Sequence, residues 1–110
     1  MTAHPQQFDN VSAVSLANVY FDGKVVSHTI IAADGSKKTL GLIYPGAFKF
    51  NTGASERMAI TAGACRVKQA GEGRWTPYAA GSAFTVGANS HFEITVDEGI
   101  CQYICSFIAA

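Results

Sequence analysis

The feature that most constrains the fold is a succession of short β-type segments separated by turns. From Tyr20 onward, β-branched and aromatic residues alternate with polar ones, and no stretch keeps helical spacing for more than a turn. Glycine-containing turns such as residues 33 to 36 and 97 to 99 interrupt this pattern at nearly regular intervals. We therefore predict an all-β chain of about eight or nine short strands, closed into a single antiparallel barrel or jelly roll.

The N-terminal residues lack this alternation. We predict a tail over residues 1 to 15 and a barrel domain over residues 16 to 110, because a chain of 110 residues can bury one small core and not two. Residues 12 to 18 are compatible with a short helical turn capped by Asn10 or Ser12.

The composition argues against several classes of protein. Eight basic residues balance eight acidic ones, so no basic field is available to bind nucleic acid or an anionic membrane surface. No apolar run approaches the roughly 20 residues of a membrane span, and the first residues do not resemble a signal peptide. We predict a cytoplasmic protein. The odd number of cysteines agrees with this, and we expect Cys65, Cys101 and Cys105 to be reduced core residues.

One carboxylate stands on an apolar face. In a strand from Glu56 to Gly63, alternation places Glu56 beside Met58 and Ile60 and directs Arg57 to the opposite face. An unpaired buried charge is costly, so Glu56 should have a partner or a ligand. A structural salt bridge, for example to Arg66, is the alternative to a functional role.

The same region resembles the first signature segment of the cupin superfamily, with Glu56 ahead of Gly63. The segment from Gly81 through the turn at residues 87 to 90 to Phe92 resembles the second. The histidines of the metal-binding cupins would fall near Thr52, at Ala54 and at Phe92, where this chain has none. A metal-dependent oxygenase is therefore disfavoured, because a transition metal needs several imidazoles around the carboxylate.

A closer resemblance covers residues 16 to 107. It is carried by the segments 20 to 25 (YFDGKV), 44 to 50 (YPGAFKF), 56 to 63, 81 to 86 (GSAFTV), 88 to 92 (ANSHF) and 103 to 105 (YIC). In this order they are similar to the pyrimidine/purine nucleoside phosphorylase family of small bacterial cupins. The resemblance implies a homodimer that cleaves nucleosides with inorganic phosphate, without a cofactor, into the free base and ribose 1-phosphate. Gly87, Arg57 and Ser106 depart from the residues common in that family.

That reaction suggests roles for particular residues. We predict that Glu56 binds the ribose hydroxyls or stabilises positive charge on the sugar. Phosphate would be bound by the loop from Thr52 to Ser55 together with a cation, either Arg57 or Lys24. A set of aromatic side chains would stack against the base, although such residues more often belong to a small core: Phe84, Phe92 and Tyr103.

Two further functions remain open from the sequence. A non-catalytic cupin that binds a small metabolite, as a sensor or a structural dimer, needs the same pocket without a place for phosphate. A metal oxygenase would require a stoichiometric transition metal.

Overall fold

Two antiparallel sheets face each other and enclose the core. The structure, a computed structural model, describes residues 4 to 108. The strands in this part of the chain are β1 (Ser12–Ala13), β2 (Asn18–Tyr20), β3 (Val25–Ile31), β4 (Lys37–Ile43), β5 (Gly46–Asn51), β6 (Ser55–Ala62), β7 (Ala64–Gln69), β8 (Thr76–Ala79), β9 (Ala83–Val86), β10 (His91–Val96) and β11 (Cys101–Ile108). The larger sheet has the order β1-β3-β4-β11-β6-β9, with β2 also paired to β3, and the smaller has the order β5-β10-β7-β8. The all-β antiparallel prediction is confirmed.

Local sequence signals explain the strands that were predicted. β3 and β4 form the predicted hairpin, and the Asp34 carboxylate accepts a hydrogen bond of 2.9 Å from the Ser36 backbone N–H within its turn. Gly63 has a φ of +75° between β6 and β7, and an added Cβ would lie 2.4 Å from the carbonyl oxygen of Ile100. Glycine is therefore required at that turn for two reasons.

The N-terminal part differs from the prediction. Residues 12 to 18 hold two short strand pieces, because Ser12 pairs with Ile31 and Asn18 pairs with Ser27. No helical turn replaces them, because the chain between β2 and β3 makes a hairpin turn at Phe21–Gly23. Asp22 (φ +56°, ψ +36°) and Gly23 (φ +89°) have the positive φ values of a type I′ turn, and the Lys24 N–H donates to the Phe21 carbonyl oxygen over 3.1 Å. Pairing with the exposed edge of β3 satisfies backbone groups that an isolated helical turn would leave to water.

The inner faces of the two sheets form one core. Its fully buried side chains come from strands of both sheets and include Ile43, Ile60, Val67, Phe92 and Ile94. The three cysteines are free and buried, as expected from the sequence. Strand β11 is central to the larger sheet, and it places inward-facing residues between β4 and β6.

The outer face of the larger sheet is also partly apolar. Val26, Leu40 and Leu42 are half-buried there, and Ile104 is 7% exposed. The chain from His4 to Phe8 lines a concavity on this face, and the Nε2 atom of His4 lies 3.1 Å from the backbone oxygen of Ser82. Among residues 4 to 108, no helix is both long enough and apolar enough to cross a membrane.

Candidate active site

A cavity of about 210 Å³ opens between the two sheets beside Glu56. Its lining contains aromatic side chains and also hydroxyl, thiol, amide and carboxylate groups. The aromatic side chains are Tyr20, Phe50, Phe92, Tyr103 and Phe107, and the polar ones include Ser27, Thr39, Asn51, Glu56 and Cys105. The volume is below the roughly 300–1,000 Å³ of typical ligand pockets, so a ligand of nucleoside size would extend into the mouth.

Strand pairing explains how Glu56 reaches this cavity. Glu56 is half-buried, and it pairs with Phe107 of β11 on one side and with Val86 of β9 on the other. Burial raises the pKa of its carboxyl, and a hydrogen bond from Cys105 partly opposes that rise. The two ion pairs within residues 4 to 108 join Arg66 to Asp97 and Lys68 to Glu93. The alternative in which Arg66 pairs with Glu56 is therefore not found.

Cys105 is the side chain that contacts the carboxylate directly. Its Sγ donates to Oε1 of Glu56 over 3.5 Å, a contact between strands β11 and β6. Burial, followed by the charge of Glu56, raises the pKa of this thiol to about 12. Cys105 is thus neutral at physiological pH, and it acts as a hydrogen-bond donor to Glu56 rather than as a nucleophile.

Tyr103 lies across the cavity floor because its neighbour is glycine. Gly41 pairs with Tyr103 on β11 and with Ser27 on β3. A Cβ at Gly41 would lie 2.4 Å from Cζ of Tyr103 and 2.5 Å from its hydroxyl oxygen. The ring can occupy this position only because Gly41 has no side chain. Burial raises the pKa of the Tyr103 phenol, which is therefore neutral, and the neighbouring Ser27 hydroxyl partly opposes that rise.

The aromatic wall is built from the smaller sheet, where Phe92 of β10 pairs with Phe50 of β5, and from the chain before β3. Phe50 and Phe92 stack, with ring centroids 5.5 Å apart and planes inclined by 22°. Tyr20 and Phe21 pack edge-on against Phe50, at 6.1 and 5.4 Å. Such a wall provides flat apolar surface for a planar ring.

The structure brings three of the predicted site residues together: Glu56, Phe92 and Tyr103. It places Phe84 in the core, where it packs against Tyr78 at 4.8 Å and Phe92 at 5.6 Å without lining the cavity. For Phe84 the core interpretation, also considered from the sequence, describes its position.

The four residues predicted to bind phosphate do not line the cavity. Thr52 is buried, and its hydroxyl donates to the backbone oxygen of Gly87 over 2.7 Å and accepts from the backbone N–H of Ser90 over 2.9 Å. These contacts hold the loop before β6 against the turn before β10. Ser55 begins β6 and pairs with Ile108.

Both predicted cations lie elsewhere. Arg57 is exposed and faces the outside of the sheet, opposite Ser106, as strand alternation from Glu56 requires. The Ser106 hydroxyl accepts a hydrogen bond of 3.0 Å from Lys38. Lys24 is exposed directly after the hairpin turn at Phe21–Gly23. None of these residues therefore lies where its side chain could bind phosphate within the cavity.

Several lining residues were not identified from the sequence. Ser27 and Thr39 are ordinary strand residues until β3 and β4 pair with their inner faces toward the cavity. Cys105 was interpreted as a core residue, and Phe50 as part of a strand. Strand alternation identifies which residues point inward, but it does not show which inward residues surround an open space.

A second concavity, of about 660 Å³, lies on the outer face of the larger sheet. His4, His28 and Gln102 line it together with apolar residues of β3, β4 and β11, and none of the carboxylates of residues 4 to 108 does. Within the described part of the chain, no group of three or more His, Cys, Asp or Glu side chains is arranged to bind a metal ion.

Comparisons with known proteins agree with the sequence resemblance. The family model described as pyrimidine/purine nucleoside phosphorylase matches residues 15 to 107. A protein of that name from Herminiimonas arsenicoxydans is 56% identical over 103 residues, which covers 93% of this chain and 97% of the relative. A solved structure of a protein of unknown function from Acinetobacter sp. ADP1 superposes with a TM-score of 0.90 at 43% identity, covering 93% and 98% of the two chains.

More distant structures support the fold alone. A cupin superfamily protein from Desulfitobacterium hafniense superposes with a TM-score of 0.63 at 11% identity, over 82% of this chain and 83% of the other. The predicted cupin-like barrel is confirmed.

Proposed function

Because the chain belongs to the pyrimidine/purine nucleoside phosphorylase family, we propose that it cleaves purine and pyrimidine nucleosides with inorganic phosphate. The C1′–N bond breaks, and its electron pair leaves with the base. A phosphate oxygen bonds to C1′, and the proton carried by monohydrogen phosphate ends on the base nitrogen. The products are the free base and ribose 1-phosphate, so the protein acts as a pentosyltransferase.

The observation that carries this proposal is the position of Glu56. Its carboxylate lies in a cavity that has flat aromatic surface on one side and neutral hydrogen-bond donors on the other. No other charged side chain lines this cavity within residues 4 to 108. A single carboxylate in such a place suits a reaction in which positive charge develops on a sugar.

Glu56 has two compatible tasks in this reaction. An ionised carboxylate accepts hydrogen bonds from ribose hydroxyls, which fixes the sugar relative to phosphate. The same charge stabilises the ribose as C1′ becomes electron-deficient. Cys105 supports both tasks, because its thiol donates to Oε1 and limits the orientations of the carboxylate.

The base is proposed to stack on the aromatic wall formed by Phe50 and Phe92. Stacking depends on the flat face of the base and not on its pattern of hydrogen-bonding groups, so purines and pyrimidines are both accepted. Tyr20 and Asn51 also line this cavity and would meet the edge of the base at its mouth.

We propose that catalysis needs no metal and no organic cofactor. The cavity offers one carboxylate and no imidazole from the described residues, which is a poor donor set for a transition metal. Phosphate itself is the nucleophile, so the reaction requires no activated water and no covalent enzyme intermediate. The predicted cytoplasmic location is consistent with free nucleosides and phosphate as substrates.

A homodimer is part of the proposal. Apolar side chains on the outer face of the larger sheet, among them Leu40 and Leu42, are only half-buried by the described residues of one chain. A second copy would cover this face more completely. Sedimentation equilibrium tests this point: a dimer mass at micromolar concentration is expected, and a monomer mass would contradict it.

The activity is tested by measuring base release from a panel of purine and pyrimidine nucleosides, with and without inorganic phosphate. We expect phosphate-dependent release from several nucleosides and a loss of at least about 100-fold in kcat/KM for Glu56→Gln, the scale of one lost charge-stabilising group. Glu98→Gln, on an exposed turn, is the matched control and should act as wild type. Full activity in a folded Glu56→Gln protein would refute the role of Glu56.

The metabolite-binding cupin is an outcome of the same experiment. No release from any nucleoside by folded wild-type protein would contradict the phosphorylase proposal and favour a binding module.

A further inference from the structure

A row of hydrogen-bonding side chains lies behind the cavity and leads into it. Asn18 of β2 pairs with Ser27 of β3, and its Nδ2 atom lies 3.2 Å from the Ser27 hydroxyl oxygen. The same amide nitrogen lies 3.2 Å from the hydroxyl oxygen of Thr29. An amide NH₂ group only donates, so the Ser27 oxygen accepts from Asn18 and its own proton is directed elsewhere.

The next member of the row is Tyr103. Ser27 is buried, at 3% exposure, and it lies across Gly41 from Tyr103, which is 8% exposed. The Ser27 hydroxyl lowers the pKa of the Tyr103 phenol, as a donor directed at the phenol oxygen does. Since Ser27 accepts from Asn18, the cooperative arrangement is for Ser27 to donate to the Tyr103 oxygen. The Tyr103 proton is then left to point into the cavity. The row thus ends in the neutral hydroxyl of Tyr103, which Ser27 orients toward the cavity.

The position of this donor is fixed by the backbone beneath it. Gly41 is opposite both Ser27 and Tyr103 in the sheet, and the Tyr103 hydroxyl occupies the space of the missing side chain. Thr39, two residues earlier on β4, adds a second hydroxyl to the same wall. Two strands therefore present hydroxyl groups next to the tyrosine.

The chemistry of the cavity indicates what these groups bind. The aromatic wall takes a planar base, so the hydroxyl wall across from it is left for the ribose and phosphate. Phosphate oxygens are strong hydrogen-bond acceptors. No cation of residues 4 to 108 lines the cavity, so neutral hydroxyl groups are the donors available to them. Inorganic phosphate keeps at least one proton at neutral pH, and it can donate a hydrogen bond through that proton to the Glu56 carboxylate. This hydrogen bond offsets the repulsion between the two anions.

We propose that Tyr103 and Thr39 form the phosphate-binding side of the cavity, with Tyr103 donating to a phosphate oxygen and with Asn18 and Ser27 as positioning residues. This assignment rests on the proposed phosphorylase function and replaces a cationic phosphate site by a neutral one. It also assigns a specificity: sulfate, which carries no proton at neutral pH, lacks the hydrogen that Glu56 accepts and binds more weakly than phosphate.

The experiment measures binding of inorganic phosphate by calorimetry, and the KM values for phosphate and nucleoside in turnover. Tyr103→Phe, which keeps the ring, should weaken phosphate binding by about 10-fold or more, the scale of a hydrogen bond to a charged group. Ser27→Ala should weaken it less, Ser27→Thr should retain it, and the Ser27→Ala/Tyr103→Phe double variant should be no worse than Tyr103→Phe alone, because the two side chains act in series. The KM for nucleoside should change little.

Thr29→Val is the matched control, because it removes the other hydroxyl partner of Asn18 and leaves the row to Tyr103 intact. It should bind phosphate as wild type does. All variants are first checked by circular dichroism and thermal unfolding, and Ser27→Ala provides the same test should Tyr103→Phe fail to fold.

Unchanged phosphate binding in folded Tyr103→Phe, or a rise in the nucleoside KM alone, would overturn the assignment. Sulfate binding equal to phosphate binding would overturn the role of Glu56 in it. The calorimetry needs no turnover, so it separates the two proposals. Tyr103-dependent phosphate binding without phosphorolysis would contradict the proposed function alone, and phosphorolysis that is insensitive to Tyr103 would contradict this inference alone.

Discussion

Replacing Gly41 by alanine tests whether the glycine is what allows Tyr103 to lie across the cavity floor. The added Cβ would stand 2.4 Å from Cζ, 2.5 Å from the hydroxyl oxygen and 2.7 Å from Cε2 of Tyr103. Favourable contacts between such atoms begin near 3.5 Å, so the ring must move by about 1 Å. The sheet lies on one side of the Tyr103 ring and the core on another, so the displaced ring can move only into the cavity.

The expected loss of stability follows from three contributions. Overpacking of a filled site costs about 1–3 kcal/mol, and moving the buried Tyr103 hydroxyl away from the neighbouring Ser27 hydroxyl costs about 1 kcal/mol more. Alanine regains about 0.5–1 kcal/mol over glycine within a strand, because it loses less backbone entropy on folding. We therefore expect Gly41→Ala to lower the free energy of unfolding by about 1–3 kcal/mol.

Urea unfolding measures this change, and phosphorolysis of a nucleoside measures its functional effect. Gly73→Ala is the matched control, because its added Cβ meets no atom within 4 Å, and it should change stability by less than about 0.5 kcal/mol. Gly41→Ala should also raise the KM for substrates, since the displaced ring takes up cavity volume. Wild-type stability together with wild-type KM values would refute the packing argument.

Three further predictions concern the loop, the carboxylate and metals. Thr52→Val should destabilise the protein by about 1–3 kcal/mol in urea unfolding, because Gly87 and Ser90 lose their partner, while the KM for phosphate stays unchanged; the opposite pattern would restore Thr52 to the phosphate site. The raised pKa of Glu56 means that the folded state favours its protonated form, so the stability that this group contributes is complete below its usual pKa of 4.5 and is lost as the pH rises through the raised value. The free energy of unfolding of Glu56→Gln minus that of wild type should therefore become more positive as urea unfolding is repeated from pH 4 to pH 8. A difference that becomes more negative with rising pH would contradict the effect of burial on this carboxyl. Dialysis against a chelator should leave base release unchanged, and activity that disappears and then returns with one added metal ion would contradict a metal-free mechanism.

The parts of the fold that local sequence determines were predicted well. The hairpin of β3 and β4 follows from its β-branched residues and from an Asp-Gly turn, and β10 follows from strict alternation. Strands β1 and β2 were not predicted, because two or three residues are too few to show a period and their pairing depends on the free edge of β3. Eleven strands in the described chain therefore exceed the predicted number.

The candidate site was predicted only where one strand carried the information. The inward direction of Glu56 follows from alternation within β6. Its hydrogen-bond donor, Cys105, is 49 residues away in sequence, and only the pairing of β6 with β11 brings the two together. Thr52 shows the converse: a small polar residue ahead of the carboxylate suggested a ligand, but partners 35 and 38 residues away use its hydroxyl for structure.

The most direct test of the account is a crystal structure of the protein soaked with ribose 1-phosphate. We predict that the sugar hydroxyls lie within hydrogen-bond distance of the Glu56 carboxylate and that the phosphate lies against the hydroxyls of Thr39 and Tyr103. A ligand bound in the outer concavity beside His4 and His28, with the cavity at Glu56 unchanged, would contradict the central claim.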